Sequence, residues 1–308
     1  NMGLAKLVDS NVLLVGDIDR GGVFAQLLGT LMLLEEDERS RVKGLIINKF
    51  RGDKTLLDPG IEMLEEKGGT AVAGVVPYVR LLLDDEDSLT ERFDKRKRGD
   101  IDIAVIRYPH ISNFTDFNVF EQDERISVRY ISTPEELYNP ELIILPGSKN
   151  TIKDLEWVKE NGFDEVIRTK SEDTIVFGIC GGFQMLGEKV SDPLGIECKG
   201  SRNAIGLLPV STIISDDKVR TQRETVLTGI KGDLEPLNGK KVIGYELNMG
   251  LTTGGEESIS GLPVISKGNV YGTYLHGIFD EGDAAAELIS SLADRNNILV
   301  DAKSFKSM

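Results

Sequence analysis

Short apolar runs alternate with stretches of helical periodicity along this chain, and this alternation limits its possible folds more than any other feature. Three of the runs are NVLLVG at 11–16, KGLIIN at 43–48 and DTIVFGI at 173–179. Runs this short and this apolar are typical of strands that are buried on both faces. Buried parallel strands joined by helices form α/β folds. The pattern therefore predicts an α/β protein whose sheets are mostly parallel.

A change of composition at residues 84–100 predicts a domain boundary. This stretch, DDEDSLTERFDKRKRGD, is mostly charged and has few apolar residues, as solvated linkers do. A new series of strands begins after it with IDIAVIRYP at 101–109. We therefore expect one domain at 1–80, a charged linker at 81–100 and a second domain at 101–308. The chain opens on Asn1 in a helix-like segment, so we expect a fragment whose upstream part is missing.

Charge and residue counts exclude several classes of function. The chain has 36 Lys and Arg against 51 Asp and Glu, a net charge of −15, which argues against nucleic acid or an anionic membrane as the main partner. Two cysteines exclude a disulfide scaffold, and two widely separated histidines do not complete a zinc site. No apolar run reaches the ~18 residues of a membrane span, and no signal peptide opens the chain. We expect a cytoplasmic protein of undetermined oligomeric state.

The sharpest local signal is GICGGFQMLG at residues 178–187. Cys180 stands in the pattern G-x-nucleophile-x-G, between an apolar strand and a predicted helix at 181–190, as in a nucleophile elbow. The turn requires small flanking residues, because larger side chains would collide with the adjacent strand and helix. A helix N-terminus also favours the reactive thiolate. Cys180 is therefore a candidate nucleophile, and a buried structural cysteine is the alternative.

A cysteine nucleophile usually works with an imidazole, and the chain offers only His110 and His276. Each follows a predicted strand, and position modestly favours His276; a loop or capping role is the alternative for both. The turn Pro146-Gly147-Ser148 also follows an apolar strand and could offer backbone N–H groups to an anion. Its alternative is an ordinary turn in which Ser148 caps the next helix.

The N-terminal domain carries polar residues after two neighbouring strands. Asp17 and Asp19 follow the first strand, and carboxylates at such positions often hold Mg²⁺ beside phosphates. Asn48, Lys49 and Arg51 follow the second strand, which suggests an anionic ligand in an otherwise acidic protein. Capping carboxylates and a solvated loop are the alternatives. No Walker A motif occurs in the sequence.

Eight segments together resemble motifs of the cobyric acid synthases, the glutamine-dependent amidases of cobalamin biosynthesis. In order along the chain they are NMGLA, LVGDIDRGGVFA, GLIINKFRGD, YPHISNFTDF, LPGSKNT, GICGGFQMLG, GYELNMG and YLHGIF. The resemblance implies the C-terminal part of a P-loop, dethiobiotin-synthetase-like domain, followed by a class I glutamine amidotransferase-like α/β domain. It also implies that the Walker A half lies upstream, so this chain would lack a complete ATP site.

The resemblance implies an ATP-driven ligase that amidates the b, d, e and g carboxylates of adenosylcobyrinic acid a,c-diamide to give adenosylcobyric acid. Glutamine and the corrinoid would be the substrates, with ATP and Mg²⁺ as co-substrate and cofactor and nothing tightly bound. Cys180 would attack glutamine and His276 would relay the proton. Gly147, Gly181 and Gln184 would bind the oxyanion and glutamine. Asp17 and Asp19 would contact Mg²⁺ or the nucleotide. The nucleotide or corrinoid side would be lined by Asn48, Lys49 and Arg51.

One departure from class I amidotransferases concerns the partner of the histidine. The position two residues after His276, where those enzymes place Glu, is Ile278 here, which fits the cobalamin branch. Glu246 in GYELNMG is a candidate to orient His276, with a structural carboxylate as the alternative. Three other functions remain open: a cobyrinic acid a,c-diamide synthase, a cysteine hydrolase without an ATP domain, and a non-catalytic amidotransferase-like scaffold. The strings ISNFTDF and YLHGIF fit cobyric acid synthases better than the a,c-diamide synthases.

Overall fold

The computed structural model describes residues 1–19, 21–79, 99–254 and 263–298. The chain divides into two compact units, Asn1–Leu83 and Asp84–Met308. Most of the predicted linker at 81–100 lies outside the described residues. Within the described ranges, no helix is long and apolar enough to cross a membrane.

The first unit is built on a three-stranded parallel sheet in the order β1-β2-β3. Its apolar core lies between this sheet and two helices, and Leu27, Leu45 and Leu64 are fully buried there. Its elements in chain order are α1 (Met2–Leu7), β1 (Val12–Asp17), α2 (Val23–Leu33), α3 (Glu36–Arg39), β2 (Val42–Phe50), α4 (Asp58–Gly68) and β3 (Val72–Pro77). The strand–helix–strand alternation read from the sequence is confirmed.

The second unit is built around a six-stranded sheet in the order β14-β15-β9-β7-β4-β6, parallel except for β14. The elements are β4 (Ile101–Ile106), β5 (Ile111–Ser112), β6 (Ile126–Ile131), β7 (Leu142–Leu145), β8 (Gly147–Ser148), α5 (Thr151–Glu160), α6 (Phe163–Lys170), β9 (Ile175–Ile179), α7 (Gly181–Leu186), β10 (Lys189–Asp192), β11 (Gly200–Asn203), β12 (Val210–Val226), β13 (Lys241–Gly254), β14 (Ile265–Lys267), β15 (Val270–Thr273), β16 (Leu275–His276) and α8 (Ala284–Arg295). The central strands β4, β7 and β9 are almost entirely buried, which explains their continuous apolar sequences.

A second sheet of this unit has the order β11-β10-β12-β13-β16, and its longest members, β12 and β13, form an antiparallel ribbon. The short strand β16 pairs with β13, so that Tyr245 lies opposite His276 and Glu246 opposite Leu275. This pairing brings the start of the GYELNMG segment beside the predicted catalytic histidine. The sheet therefore supplies one wall of the candidate site.

The helix predicted at 181–190 is shorter than expected, because α7 ends at Leu186. At the next residue, Gly187, a Cβ atom would stand 2.6 Å from the Val210 carbonyl oxygen. The chain leaves the helix there in an extended conformation and continues into β10. Close packing against β12, rather than helix propensity, sets this boundary.

Candidate active site

Cys180 occupies the turn between β9 and α7 in a conformation that side chains rarely adopt, with φ at +52° and ψ at −109°. A Cβ on Gly182 would stand 1.9 Å from the Leu145 carbonyl oxygen, and one on Gly178 would stand 2.6 Å from Leu186 Cδ1. Both distances are far inside van der Waals contact, so both positions require glycine. The predicted collision at the flanking positions is confirmed, and the strained turn presents the Cys180 side chain above the strand end.

The side chains of Cys180 and His276 lie together at this turn. The Cys180 thiol donates a hydrogen bond to the Leu247 carbonyl oxygen at 3.2 Å, and it also interacts with the His276 imidazole. His276 lies at the end of β16 and is 1% exposed. The two residues that the sequence selected as nucleophile and base are thus neighbours, although 96 positions separate them in the sequence.

Asp116 holds the opposite side of the His276 ring. His276 Nδ1 donates to Asp116 Oδ2 at 2.8 Å, and the Gly277 backbone N–H donates to Asp116 Oδ1 at 3.1 Å. Because Nδ1 is taken, the other ring nitrogen, Nε2, is the one left for Cys180. The site is therefore a Cys180–His276–Asp116 arrangement of the kind that activates a nucleophile through an oriented base.

Sequence reasoning missed Asp116. The residue lies in a short 3₁₀ helix, Phe114–Phe117, whose two phenylalanines are buried in the core of the unit. Asp116 itself is 2% exposed, and a buried carboxylate must have a partner. The acidic residue between two phenylalanines in NFTDF therefore indicates a buried carboxylate with a partner, but the segment does not identify that partner.

Glu246, which the sequence offered as the partner of His276, is engaged elsewhere. Its carboxylate forms an ion pair with the guanidinium of Arg223. The register explains the correction: Tyr245 faces His276 across the strands, and successive side chains point to opposite faces of a sheet. Glu246 is therefore directed away from the imidazole, and Tyr245 stacks on it with ring centroids 5.2 Å apart.

The charges around His276 favour its protonated form. Burial alone lowers the pKa of this imidazole, because it penalises the charged state. Hydrogen bonds and charge from Asp116 and Cys180 outweigh that effect and raise the pKa of His276 from 6.5 to about 10. At neutral pH the site therefore holds an imidazolium between the Asp116 carboxylate and the Cys180 sulfur, where it can give a proton to a leaving group.

The two glycines expected at the oxyanion site lie on either side of this group. A Cβ on Gly147 would stand 3.2 Å from His276 Cε1, so the loop after β7 borders the imidazole. A Cβ on Gly181 would stand 2.9 Å from the Ser148 backbone nitrogen, so the same loop also packs against the start of α7. The Gly181 N–H is at the first position of that helix, where no intrahelical acceptor exists. The loop after β7 thus packs against both the His276 ring and the first residue of α7.

Gln184, which is expected to contact glutamine, is hydrogen-bonded to two residues of the protein. Its side chain is 3% exposed, and both ends of the amide are bound within the protein. Oε1 accepts from the Thr151 hydroxyl at 3.1 Å, and Nε2 donates to the Tyr274 hydroxyl at 3.1 Å. Gln184 therefore connects α7 to α5 and to the strand end at Tyr274, and its contact with glutamine stays a prediction.

His110, the alternative base, pairs with a different carboxylate. Its Nδ1 lies 2.8 Å from Asp154 Oδ1, and its backbone N–H donates to the same oxygen at 3.1 Å. This pairing holds His110 against α5, and the imidazole that interacts with Cys180 is that of His276. Of the two histidines, the structure thus brings His276 to the nucleophile.

A cleft of about 610 Å³ opens beside the catalytic group. Its walls include Tyr245, which stacks on His276, and Leu247, whose carbonyl accepts from Cys180. Charged residues of both signs also line it, with Arg220 from β12 and Asp280 and Glu281 from the segment after β16. The cleft is large enough for an amino acid, and its mixed charge suits a zwitterion.

In the first unit, the predicted polar residues meet at the carboxyl ends of β1 and β2, where Asp17 lies opposite Asn48. Lys49 Nζ lies 2.8 Å from Asp17 Oδ2, and Arg51 Nε lies 2.8 Å from Asp19 Oδ1. Asn48 Oδ1 accepts from the Lys49 backbone N–H at 2.9 Å. The five residues are therefore brought together as expected.

Their arrangement does not fit a metal ion. Each of the two carboxylates forms an ion pair with a basic side chain. Mg²⁺ would therefore have to displace Lys49 from Asp17 and Arg51 from Asp19. Among the residues that the structure describes, no group of three or more His, Cys, Asp or Glu side chains is placed to hold a metal. The Mg²⁺ site predicted at Asp17 and Asp19 is thus not formed in this structure.

Comparison with known proteins adds independent evidence. Residues 102–284 match the family described as the CobB/CobQ-like glutamine amidotransferase domain, and residues 1–86 match an AAA domain family. The cobyric acid synthase of Ruminiclostridium cellulolyticum is 49% identical over 99% of this chain and 62% of that protein. Those of Lachnoclostridium phytofermentans and Clostridium kluyveri are 46% and 44% identical, each over 97% of this chain. The chain thus spans about three-fifths of the length of the curated relatives it matches.

Proposed function

The chain belongs to the family of cobyric acid synthases, and from that premise we propose that its second unit releases ammonia from glutamine. The observation that carries the proposal is the Cys180–His276–Asp116 arrangement on a strained strand-to-helix turn. Glutamine would enter the cleft beside Tyr245 and Leu247 with its side-chain amide directed toward Cys180.

The positions of these groups support the following reaction. The Cys180 thiolate attacks the side-chain carbonyl carbon of glutamine, and the carbonyl oxygen takes the negative charge beside the Gly181 and Gly147 loops. The His276 imidazolium gives its proton to the departing nitrogen, so ammonia leaves and a thioester remains. Neutral His276 then takes a proton from water, which attacks the thioester and releases glutamate and the Cys180 thiolate. Asp116 keeps the imidazole oriented throughout.

Glutaminase activity of the full 308-residue chain tests this proposal. The variant Cys180→Ser is expected to lose at least about 10³-fold in kcat, because a nucleophile acts as a unit with its base. Cys198→Ser, which changes the chain's other cysteine, is the matched control and is expected to keep wild-type activity. Hydrolysis that persists in Cys180→Ser would exclude this mechanism, and a wild-type chain with no hydrolysis would favour a non-catalytic scaffold.

We further propose that the ammonia serves ATP-driven amidation of a corrinoid, as the names of the relatives suggest. The acceptors would be the b, d, e and g carboxylates of adenosylcobyrinic acid a,c-diamide, with the first unit on the nucleotide or corrinoid side. The match of residues 1–86 to an AAA domain family supports the use of ATP. Asp17 and Asp19 remain candidates for Mg²⁺ only if Lys49 and Arg51 release them.

Product analysis separates the two ligase candidates. The chain is incubated with glutamine, ATP and either cobyrinic acid or its a,c-diamide, and mass spectrometry counts the carboxylates converted to amides. Conversion of the a,c-diamide supports a cobyric acid synthase, whereas conversion confined to the a and c positions supports the a,c-diamide synthase. Glutaminase activity without any ATP-dependent amidation would restrict the function of this chain to ammonia release.

A further inference from the structure

The loop between β7 and α5 is held by a buried carboxylate that has no step of its own in the reaction above. Asp154, in the first turn of α5, is fully buried. Its Oδ1 accepts from the backbone N–H of His110 and faces the His110 ring nitrogen, and its Oδ2 accepts from the Ser148 hydroxyl at 2.5 Å. A carboxylate in such a place is costly unless every oxygen is paired, so these contacts fix the positions of three separate segments.

The Ser148 hydroxyl connects Asp154 to the backbone of the loop. It donates to Asp154 and accepts from the Asn150 N–H at 3.0 Å, which closes a tight turn over residues 148–150. The Lys149 N–H donates to the His110 carbonyl oxygen at 2.8 Å, so the loop is also bound directly to the segment that carries His110. The Asp154 side chain and the His110 backbone carbonyl thus hold the loop at Ser148 and Lys149.

This loop is the one that borders the nucleophile. The Ser148 backbone nitrogen packs against Gly181, and Gly147 packs against the His276 ring. Oxyanion donors must stand about 2.7–3.1 Å from the developing charge, so a shift of the loop by less than 1 Å would misplace them. Asp154 is therefore connected to the oxyanion donors through a single intervening residue, Ser148.

We propose that Asp154, with His110 as its hydrogen-bond partner, is a positioning residue that sets the oxyanion donors of the Gly147–Ser148 strand. The pair touches neither the nucleophile nor the base; it acts through the loop. The inference rests on the proposed glutaminase function.

The test uses Asp154→Asn in the full chain and two measurements. The first is glutaminase kcat and KM, and the second is the rate at which iodoacetamide alkylates Cys180, followed by peptide mass spectrometry. Alkylation displaces iodide from a saturated carbon and forms no oxyanion. Its rate therefore measures the reactivity of Cys180 and does not depend on the oxyanion donors of the loop. We expect kcat to fall by about 10- to 100-fold, less than the loss of a whole oxyanion donor, with KM within about 3-fold and alkylation unchanged. Asp164→Asn on α6, whose carboxylate pairs with Arg168, is the matched control and should change neither.

Variants of the partly exposed His110 test the pair without changing the buried residue. His110→Asn keeps an N–H donor beside Asp154 and is expected to retain activity, whereas His110→Leu should reproduce the Asp154→Asn loss of kcat. An unchanged kcat in both Asp154→Asn and His110→Leu overturns the inference, and so does a parallel loss of kcat and alkylation. If the wild-type chain shows no Cys180-dependent hydrolysis, the proposed function itself fails, which the Cys180→Ser comparison reveals separately.

Discussion

Replacing Asp116 by Asn removes the charge that holds His276 and preserves the size of the side chain. Each oxygen of Asp116 receives one N–H, from His276 Nδ1 at 2.8 Å and from the Gly277 backbone at 3.1 Å. Asparagine has one acceptor oxygen and one NH₂ group, so it can serve only one of these donors. The other N–H loses its partner in a buried site, or the imidazole turns to the wrong tautomer. Either result removes the oriented acid from the reaction.

The size of the effect follows from the same contacts. A pKa raised from 6.5 to about 10 corresponds to roughly 5 kcal/mol in favour of the His276 imidazolium, at 1.36 kcal/mol per unit. Asp116 and Cys180 share this stabilisation, so the loss of the carboxylate costs about 2–3 kcal/mol. A buried N–H left without an acceptor adds about 1 kcal/mol. Together these predict a fall of roughly 10²- to 10³-fold in glutaminase kcat/KM.

The pH dependence gives a second, independent measure. Because His276 acts as an acid, kcat/KM of the wild-type chain is expected to fall as the pH rises through about 10, and this alkaline limb should move to lower pH in Asp116→Asn. Stability follows the same sign. Because the pKa of His276 is higher in the folded than in the unfolded protein, protonation of His276 contributes to folding stability. This contribution is fully present below pH 6.5 and is lost as the pH rises through about 10. The stability difference between the two proteins should therefore narrow over that interval in denaturant titrations.

Two control variants make the test specific. Asp123→Asn makes the same change at a carboxylate that pairs with Arg125, and it should leave activity unchanged. Glu246→Gln changes the acid that the sequence offered as a candidate orienter of His276, and it should lower activity only a few-fold because Glu246 pairs with Arg223. Activity of Asp116→Asn within about 3-fold of wild type, with an unmoved alkaline limb, would refute the reasoning, and a larger effect of Glu246→Gln would restore the sequence-based choice.

Two further predictions concern the turn and the wall of the site. Gly182→Ala is expected to destabilise the second unit by about 2–3 kcal/mol in denaturant titrations, because its Cβ would stand 1.9 Å from a carbonyl oxygen. Gly74→Ala, where the Cβ would meet no atom within 4 Å, should leave stability almost unchanged. Equal losses of stability in the two variants would contradict the packing argument. Tyr245→Phe loses the hydrogen bond from Asn113 but keeps the ring stacked on His276, so kcat of the glutaminase reaction should fall by less than about 3-fold. Tyr245→Ala loses both contacts and should cost about 10-fold; equal losses in the two variants would show that stacking has no part.

The strained turn at Cys180 could be predicted because its requirements are local. A strained turn between a buried strand and a helix needs glycine at the positions of closest approach, and those positions lie within two residues of Cys180. A short sequence window therefore contains the whole pattern. His276 could be proposed for a simpler reason: the sequence has only two histidines, and both follow strands.

Asp116 could not be predicted in the same way, because its partner is 160 positions away in the sequence. A buried acidic residue must have a partner, but its own sequence context does not show which residue that partner is. The choice between Asp116 and Glu246 was decided by the pairing of β13 with β16, which directs Tyr245 toward His276 and Glu246 to the other face. A shift of one residue in that register would reverse the choice, and no feature of GYELNMG alone sets the register.

The same limit applies to charge. The segment NKFRGD looked like a basic loop that faces an anionic ligand, but Lys49 and Arg51 pair with Asp17 and Asp19 from the end of the adjacent strand. The pairing follows from the parallel register, which sets Asp17 opposite Asn48 and so brings both polar segments to one edge. Net charge at this edge is therefore a property of two segments together, and the anionic ligand expected from NKFRGD stays a prediction. A charge pattern read from one segment predicts a ligand only when the neighbouring strand's end carries no opposite charges.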